Sequence, residues 1–301
     1  MTNPLFSVVR RMVRQLAEWQ MISPRRAALL LHRIETRRRA DIKNPTDLNE
    51  KILWLEFNTD TTLWSRLADK YEVKKFVADA GFPEIVPATY GIWEDAEAVD
   101  FSQLPDKFAI KSTHGTMQTI LVRDRRSLDQ TRVRRRLSQW LGRRFGFAGA
   151  EPHYTRIRPR IMAEEMLPLS DEAGSPVMAT DYKFFCFDGR PLYCLVCSER
   201  DEKTFRTSLS LFRLPAWEEW REAVVESYRP VNVPPRPDKL EEMIHIAETL
   251  SQGFPIVRVD LYCIGARIYF GELTFTMGSA RIRYFTPSAL ASLGSLISLP
   301  Q

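Results

Sequence analysis

Four polar residues near the end of the chain stand where strand-like apolar runs should carry none: Arg258, Asp260, Glu272 and Thr274, within 256–275. The two-residue period of a strand puts Arg258 with Asp260 on one face, and Glu272 with Thr274 on one face. A turn at Gly265 would fold the two runs into a hairpin. With a three-residue loop over 264–266, Asp260 lies opposite Phe270 and Glu272 is its diagonal neighbour, roughly 7–8 Å away. Two carboxylates so close in an apolar setting need a cation between them, which suggests a divalent metal holding phosphates. The competing reading is a surface hairpin with ordinary salt bridges, and a one-residue slip of register would send Asp260 and Glu272 to opposite faces.

Other stretches carry chemistry more weakly. Lys111-Ser-Thr-His-Gly-Thr-Met117 places small residues after a lysine between two apolar runs, the form of a backbone that covers phosphates. Its single glycine makes the signal weak, and Lys74 alone in a helix reads as solvent-facing. Ile161-Met-Ala-Glu-Glu-Met-Leu167 ends an apolar strand with two glutamates and an apolar pair. An adenine needs such a linker, and a strand end reaching solvent is the alternative. Cys194 and Cys197 form a C-x-x-C inside a strand, where they point to opposite faces and do not clamp one metal. His32, His114, His153 and His245 show no ligand spacing, so a structural zinc is not expected, and no Ser-His or Cys-His pair offers a nucleophile.

These residues need elements to hold them. The helical period runs through Leu5, Val8, Met12, Leu16 and Trp19 beside Arg10, Arg11 and Arg14, and Ser23-Pro24 starts a second helix. Asp47 and Glu50 stand at capping-box spacing. Residues 62–80 read as one helix ending at Gly81, 107–122 as two strands around 112–116, 128–145 as a basic helix and 160–164 as a strand. Tyr182–Phe187 and 191–198 are strands joined at Asp188-Gly189, a hairpin signal. Residues 199–236 read as irregular, and 238–252 as a helix ending at Gly253. Strands with interspersed helices and hairpins indicate α+β with antiparallel sheets.

The net charge of +5 is uneven. Residues 1–40 hold nine Arg and two Glu, or +7, and 123–144 hold nine Arg and two Asp, also +7; everything else sums to −9. Anionic lipid or an anionic glycan would account for such local charge. Nucleic acid is not expected, since no motif for it is present. The apolar runs are too short to cross a bilayer and the N-terminus is not a signal peptide, so the cytoplasm is the expected location.

Taken in order, Lys74, Lys111 with its loop, Glu164-Glu165, Asp181 with Lys183, Arg258 with Asp260, then Glu272 and Thr274 resemble the ATP-grasp superfamily. The chain is most similar to the TupA-like ATP-grasp family, linked to teichuronopeptide and capsular-polysaccharide assembly. Leu48-Asn-Glu-Lys-Ile52, Asp69-Lys-Tyr-Glu-Val-Lys74, Leu104-Pro-Asp-Lys-Phe108, Lys111-Ser-Thr-His-Gly115, Arg158-Pro-Arg-Ile161, Asp181-Tyr-Lys-Phe-Phe-Cys-Phe-Asp-Gly189, Arg258-Val-Asp-Leu-Tyr262 and Tyr269-Phe-Gly-Glu-Leu-Thr-Phe275 carry the likeness, over about 43–288.

The resemblance implies an ATP-grasp fold in three subdomains plus a basic helical extension: 1–42 the extension, 43–103 a pre-ATP-grasp subdomain, 104–165 the central subdomain and 166–301 the C-terminal subdomain with the metal hairpin. It implies that Lys74 and Lys111 contact ATP phosphates beside the loop Ser112, Thr113, His114 and Gly115. Glu164, Glu165, Met166 and Leu167 become the adenine hinge, and Asp181 meets the ribose with Lys183 beside it. Arg258, Lys111 and Lys183 become the catalytic cations, Arg258 stabilising phosphate charge. Asp260, Glu272 and Thr274 would hold one or two Mg²⁺. Thr274 stands where many ATP-grasp enzymes carry Asn, and Ala280 where a Gly is expected.

The implied reaction is ATP-dependent joining of a carboxylate to an amine through an acyl phosphate. Its partners are a small-molecule or glycan carboxylate, such as a uronic-acid unit, and an amine or amino acid. A non-catalytic nucleotide-binding scaffold and a phosphotransferase are the alternatives. The basic runs leave room for peripheral contact with an anionic membrane, at its inner face, or with an assembly complex. His153, Arg200, Arg281 and Arg283 are secondary substrate-contact candidates.

Overall fold

The computed structural model describes residues 4–168, 180–198 and 207–300. In chain order the elements are α1 (Pro4–Glu18), α2 (Pro24–Thr36), α3 (Leu48–Asn58), α4 (Thr62–Ala68), α5 (Glu72–Asp79), β1 (Thr89–Trp93), β2 (Phe108–Ser112), β3 (Thr119–Val122), α6 (Gln130–Leu141), α7 (Phe145–Gly149), β4 (Ile161–Glu164), β5 (Asp181–Phe187), β6 (Arg190–Ser198), β7 (Ser208–Arg213), β8 (Glu218–Glu219), α8 (Leu240–Leu250), β9 (Ile256–Ile264), β10 (Arg267–Thr274) and α9 (Pro287–Ser295). The strands form two wholly antiparallel sheets, so the architecture is α+β.

The chain groups into two compact units, each built from separated segments. The first takes residues 1–28, 61–79 and 86–167, and the second 29–60, 80–85 and 168–301. Of the segments expected from sequence, 104–165 falls within the first unit and 166–301, but for its first two residues, within the second; 43–103 is divided between the units, and the 1–42 extension divides within α2.

The first unit holds a four-stranded sheet in the order β1-β4-β2-β3. Its core face carries Phe108, Ile110, Ile161 and Ala163, packed against Val133, Leu137 and Trp140 of α6. The strand period puts Lys111 and Glu164 on the opposite face, two residues apart in register: Lys111 pairs Met162, and Ala109 pairs Glu164. The single helix expected over 62–80 is in fact two, α4 and α5. Asp69 breaks it: its Oδ1 accepts from the amides of Tyr71 (2.8 Å) and Glu72 (3.3 Å), offering the backbone a local alternative to helix.

The second unit holds a six-stranded sheet in the order β10-β9-β5-β6-β7-β8. Residues 199–206 lie outside the described residues, as does Arg200, but 208–213 is a strand rather than irregular. Asp188 and Gly189 join β5 to β6 with φ of 46° and 74°, the left-handed pair that a tight hairpin needs. One face of the sheet, with Phe184, Cys186, Cys194 and Val259, lies under α8, whose Met243, Ile246, Ala247 and Leu250 are buried. The other face carries Asp181, Lys183, Arg258, Asp260, Glu272 and Thr274. The capping box of α3 is present, with Glu50 N–H donating to Asp47 Oδ1 at 3.0 Å. Helices α2 and α3 grip the segment after β10: His32 Nδ1 is 2.9 Å from Ala280 O, and Asn49 bonds both backbone groups of Ile282 (2.9 and 3.1 Å).

Candidate functional site

In the first unit, Glu164 is the centre of a three-residue charge cluster. Its Oε2 lies 2.8 Å from Lys74 Nζ, and its Oε1 pairs with Lys111 Nζ. Lys74 is not solvent-facing: its ammonium also donates to Pro87 O (2.7 Å) and Thr89 Oγ1 (2.9 Å). Burial favours the neutral form of Glu164, but Lys111 and Lys74 outweigh it and hold the carboxyl below its usual range. Burial lowers the Lys74 pKa, with Glu164 opposing. Because the Glu164 side chain is turned to the lysines, an adenine would meet the backbone of this linker. Glu165 closes it against Ala88, with N–H to Ala88 O at 2.8 Å and Oε2 accepting from Ala88 N–H at 3.2 Å.

The loop after β2 turns three of its side chains inward. Ser112 and Thr113 are fully buried, Ser112 paired with the Gln118 side chain, and His114 sits 3.1 Å from Trp140 O through Nε2. Burial lowers the His114 pKa. Side-chain contact with phosphate is therefore left to none of these three, and the backbone of 113–117 is what remains to meet an anion. That backbone is strapped by residues to which the sequence reading gave no role. Lys70 donates from Nζ to Gly115 O (2.6 Å) and from N–H to Thr113 O (3.2 Å), and Thr113 N–H donates to Arg160 O (2.9 Å). Arg160 in turn bonds Asp69 (2.8 Å) and Glu72 (2.9 Å) and lies 4.9 Å over the Tyr71 ring. The charged run Asp69-Lys70-Tyr71-Glu72 was the available signal for Lys70, and no local signal pointed to Arg160.

In the second unit the acidic face is centred on Asp260, 1% exposed. Arg258 grips it with two donors, Nε to Oδ1 and Nη2 to Oδ2, both 2.6 Å. Lys183 lies 2.6 Å from Asp260 Oδ2 and 2.6 Å from Asp181 Oδ2. Arg258 Nη2 also reaches Thr274 Oγ1 (3.0 Å) and Glu272 Oε1 (3.4 Å), and Thr274 Oγ1 donates to Glu272 at 3.2 Å. Burial opposes ionisation of Asp260, but Arg258 and Lys183 hold its carboxyl below the usual range. The Asp181 pKa is raised, first by burial and then by the charge of Asp260, with Lys183 opposing. Cys197 is paired in register with Asp181 on this face while Cys194 is on the α8 face; burial pushes the Cys197 thiol up to about 12 and leaves it inert.

The hairpin register differs from the expectation. The loop has two residues, Gly265 and Ala266, with Ile264 paired to Arg267, and Phe270 stands opposite Leu261. A bulge at Gly271 then restores one residue, so Glu272 is directly opposite Asp260 and Thr274 opposite Arg258. A Cβ at Gly271 would lie 2.9 Å from Asp260 O and 3.1 Å from the Tyr262 ring, so only glycine fits. A glycine inside a strand was the available signal for that bulge.

A divalent ion suits this face on two counts. Three carboxyl groups, Asp181, Asp260 and Glu272, outnumber the two cations, Arg258 and Lys183. The donors are hard oxygens, and Mg²⁺ takes one or two carboxylates while keeping waters and phosphates as its other ligands. Among the described residues no three His, Cys, Asp or Glu side chains converge into a complete shell. Glu272, 35% exposed at its side chain, is more accessible than Asp260, at 2%. His153 is packed against Trp64 and Tyr154, and burial pushes its pKa down to about 4. Arg281 is 5% exposed and reaches Glu35 at 3.7 Å.

A family profile described as TupA-like ATPgrasp matches residues 50–298. No curated protein matches the chain. Among solved structures, D-alanine–D-alanine ligase from Bacillus anthracis complexed with ATP is 13% identical over 77% of this chain and 63% of its own, with a TM-score of 0.40. The ATP-grasp ligase PsnB complexed with a phosphomimetic variant of its minimal precursor, Mg and ADP is 12% identical over 82% and 65%, at 0.40. D-Alanine–D-alanine ligase from Helicobacter pylori is 15% identical over 83% and 69%, at 0.42. The chain thus spans less than two thirds of the first two.

Proposed function

Because the chain belongs to the TupA-like ATP-grasp family, we propose that it is an ATP- and Mg²⁺-dependent carboxylate–amine ligase. The observation that carries this reading is the acidic face around Asp260, where three carboxylates and two cations are held in strand register by three neighbouring strands. Asp260 and Glu272 would hold Mg²⁺, with Thr274 beside them, and the metal would neutralise phosphate charge. Arg258 and Lys183 are held by the same carboxylates, ready to stabilise charge on a transferring phosphoryl group. Lys74 and Lys111 would take the phosphates of ATP, exchanging Glu164 for them, and the strapped backbone of 113–117 would cover them.

In the reaction, a substrate carboxylate oxygen bonds to the γ-phosphorus as the bond to ADP breaks, giving an acyl phosphate and ADP. An amine then attacks the acyl carbon and phosphate leaves, giving an amide and, after loss of a proton, a neutral product bond. No protein nucleophile is required. The family points to a uronic-acid or amino-acid unit of a surface polysaccharide as the acid, handled in the cytoplasm.

The test is phosphate release across a panel of acid–amine pairs, with the amide identified by mass. Dependence on both partners and on Mg²⁺ supports the reading. A stable phosphorylated acid formed without any amine would replace it with phosphotransfer. One observation favours a second reading, a non-catalytic nucleotide-binding module: both Asp260 oxygens are already engaged by Arg258 and Lys183. Mg·ATP binding without turnover over the whole panel would establish that alternative.

A further inference from the structure

Helix α1 has two apolar sides, and only one is covered within its unit. Val13 (7% exposed) and Ala17 (0%) are buried where α1 packs on α7. On the helical wheel a second stripe runs through Val8 and Met12 and on to Trp19, just past the end of α1, whose N–H still donates to Gln15 O at 2.9 Å; the three fall within about 40° of one another at 100° per residue. These three are 53%, 58% and 65% exposed, and Met21 just beyond is 68% exposed. Arg10 and Arg14 lie on the far side of the wheel, while exposed Arg11 flanks the stripe at about 80° from its centre, and Arg25 and Arg26 are exposed at the start of α2. The basic helix α6 is built differently: its Val133, Leu137 and Trp140 are sunk in the core, and its exposed side chains are polar, Arg132, Arg135 and Arg136 among them. Of the two basic regions, α1 is therefore the one that shows apolar side chains to solvent.

We propose that α1 is an in-plane anchor that seats this protein on an anionic lipid surface. The physics is that of interfacial helices: a wide apolar arc beside a cationic face, too short and too charged to span a bilayer. Trp19 closes the stripe with a ring suited to the headgroup boundary. Residues 1–40 carry +7 while the chain outside the two basic runs carries −9, so the attraction to anionic lipid is confined to this end and to α6.

The experiment is flotation of the full chain with phosphatidylcholine vesicles and with vesicles containing one quarter phosphatidylglycerol. Binding is expected only to the anionic vesicles and should weaken as salt rises. The double variant Met12→Glu, Trp19→Glu should lower the partition coefficient by about tenfold or more, since it puts charge into the apolar seat. Arg11→Gln with Arg26→Gln should lower it several-fold. All four positions are partly or wholly exposed, and circular dichroism of each variant checks that the fold is retained. No binding of the wild type to anionic vesicles at low salt overturns the proposal, as does equal binding by Met12→Glu, Trp19→Glu. A concentration-dependent dimer that this variant abolishes, without lipid binding, would instead make the stripe a contact between copies.

Discussion

Asp260 and Glu164 hold the same position in two different chemistries: a buried carboxylate gripped by two cations. Removing one partner of such a cluster strands the others, which costs about 3–5 kcal/mol. Asp260→Asn should therefore lose stability by that order in chemical denaturation as well as activity. Glu272→Gln is the cleaner probe of metal binding, because Glu272 is partly exposed and touches Arg258 at 3.4 Å. It should abolish Mg²⁺-dependent phosphate release while shifting the melting temperature little. Glu164→Gln should raise the thermal shift produced by Mg·ATP relative to wild type, since phosphate then pairs two lysines left without their carboxylate. An unchanged shift would remove Glu164 as the residue that competes with phosphate. Residue types at these positions were legible in the chain, but their partners were not. Lys74 lies 90 positions from Glu164, and no local pattern reports a contact at that separation.

At the scale of elements, the β9–β10 hairpin shows how one glycine sets the site. The two-residue turn alone would place Asp260 opposite Gly271; the bulge moves Glu272 there. Gly271→Ala puts a methyl group within 2.9 Å of the Asp260 carbonyl oxygen. It should destabilise the protein by about 1–3 kcal/mol, as overpacking does, and lower turnover further by pushing Glu272 out of line. Wild-type turnover with Gly271→Ala would show that the bulge does not position the ligand. The α3 capping box and the Asp188-Gly189 hairpin were legible because their signals are local. The register shift at the bulge and strand β7 were not, because each is decided by a partner strand; the break at Asp69 rests on local hydrogen bonds that the helical period of 62–80 masked.

At the scale of the whole molecule, Glu56 provides a pH readout of folding. Burial pushes its carboxyl up to about 8 from 4.5, with Arg281 partly opposing. The folded state thus holds a proton that the unfolded chain has released. Stability from this group is complete below about pH 4.5 and is lost as pH rises through about 8. Glu56→Gln should flatten the fall in denaturation free energy between those limits, and an unaltered slope would assign it to other groups. No helix among the described residues is long and apolar enough to cross a membrane.

What the sequence determined by itself was an ordered inventory: lysines, paired glutamates and a charged hairpin, with the family that this order signifies and an α+β architecture of antiparallel strands. Residue type, period and turn chemistry are properties of neighbours in the chain, so they can be seen there. Only the tertiary structure decided which cation each carboxylate holds, that Ser112, Thr113 and His114 turn inward, and that Glu272 stands across from Asp260. Those outcomes depend on register, burial and side-chain direction, which arise when segments far apart in sequence pack against each other.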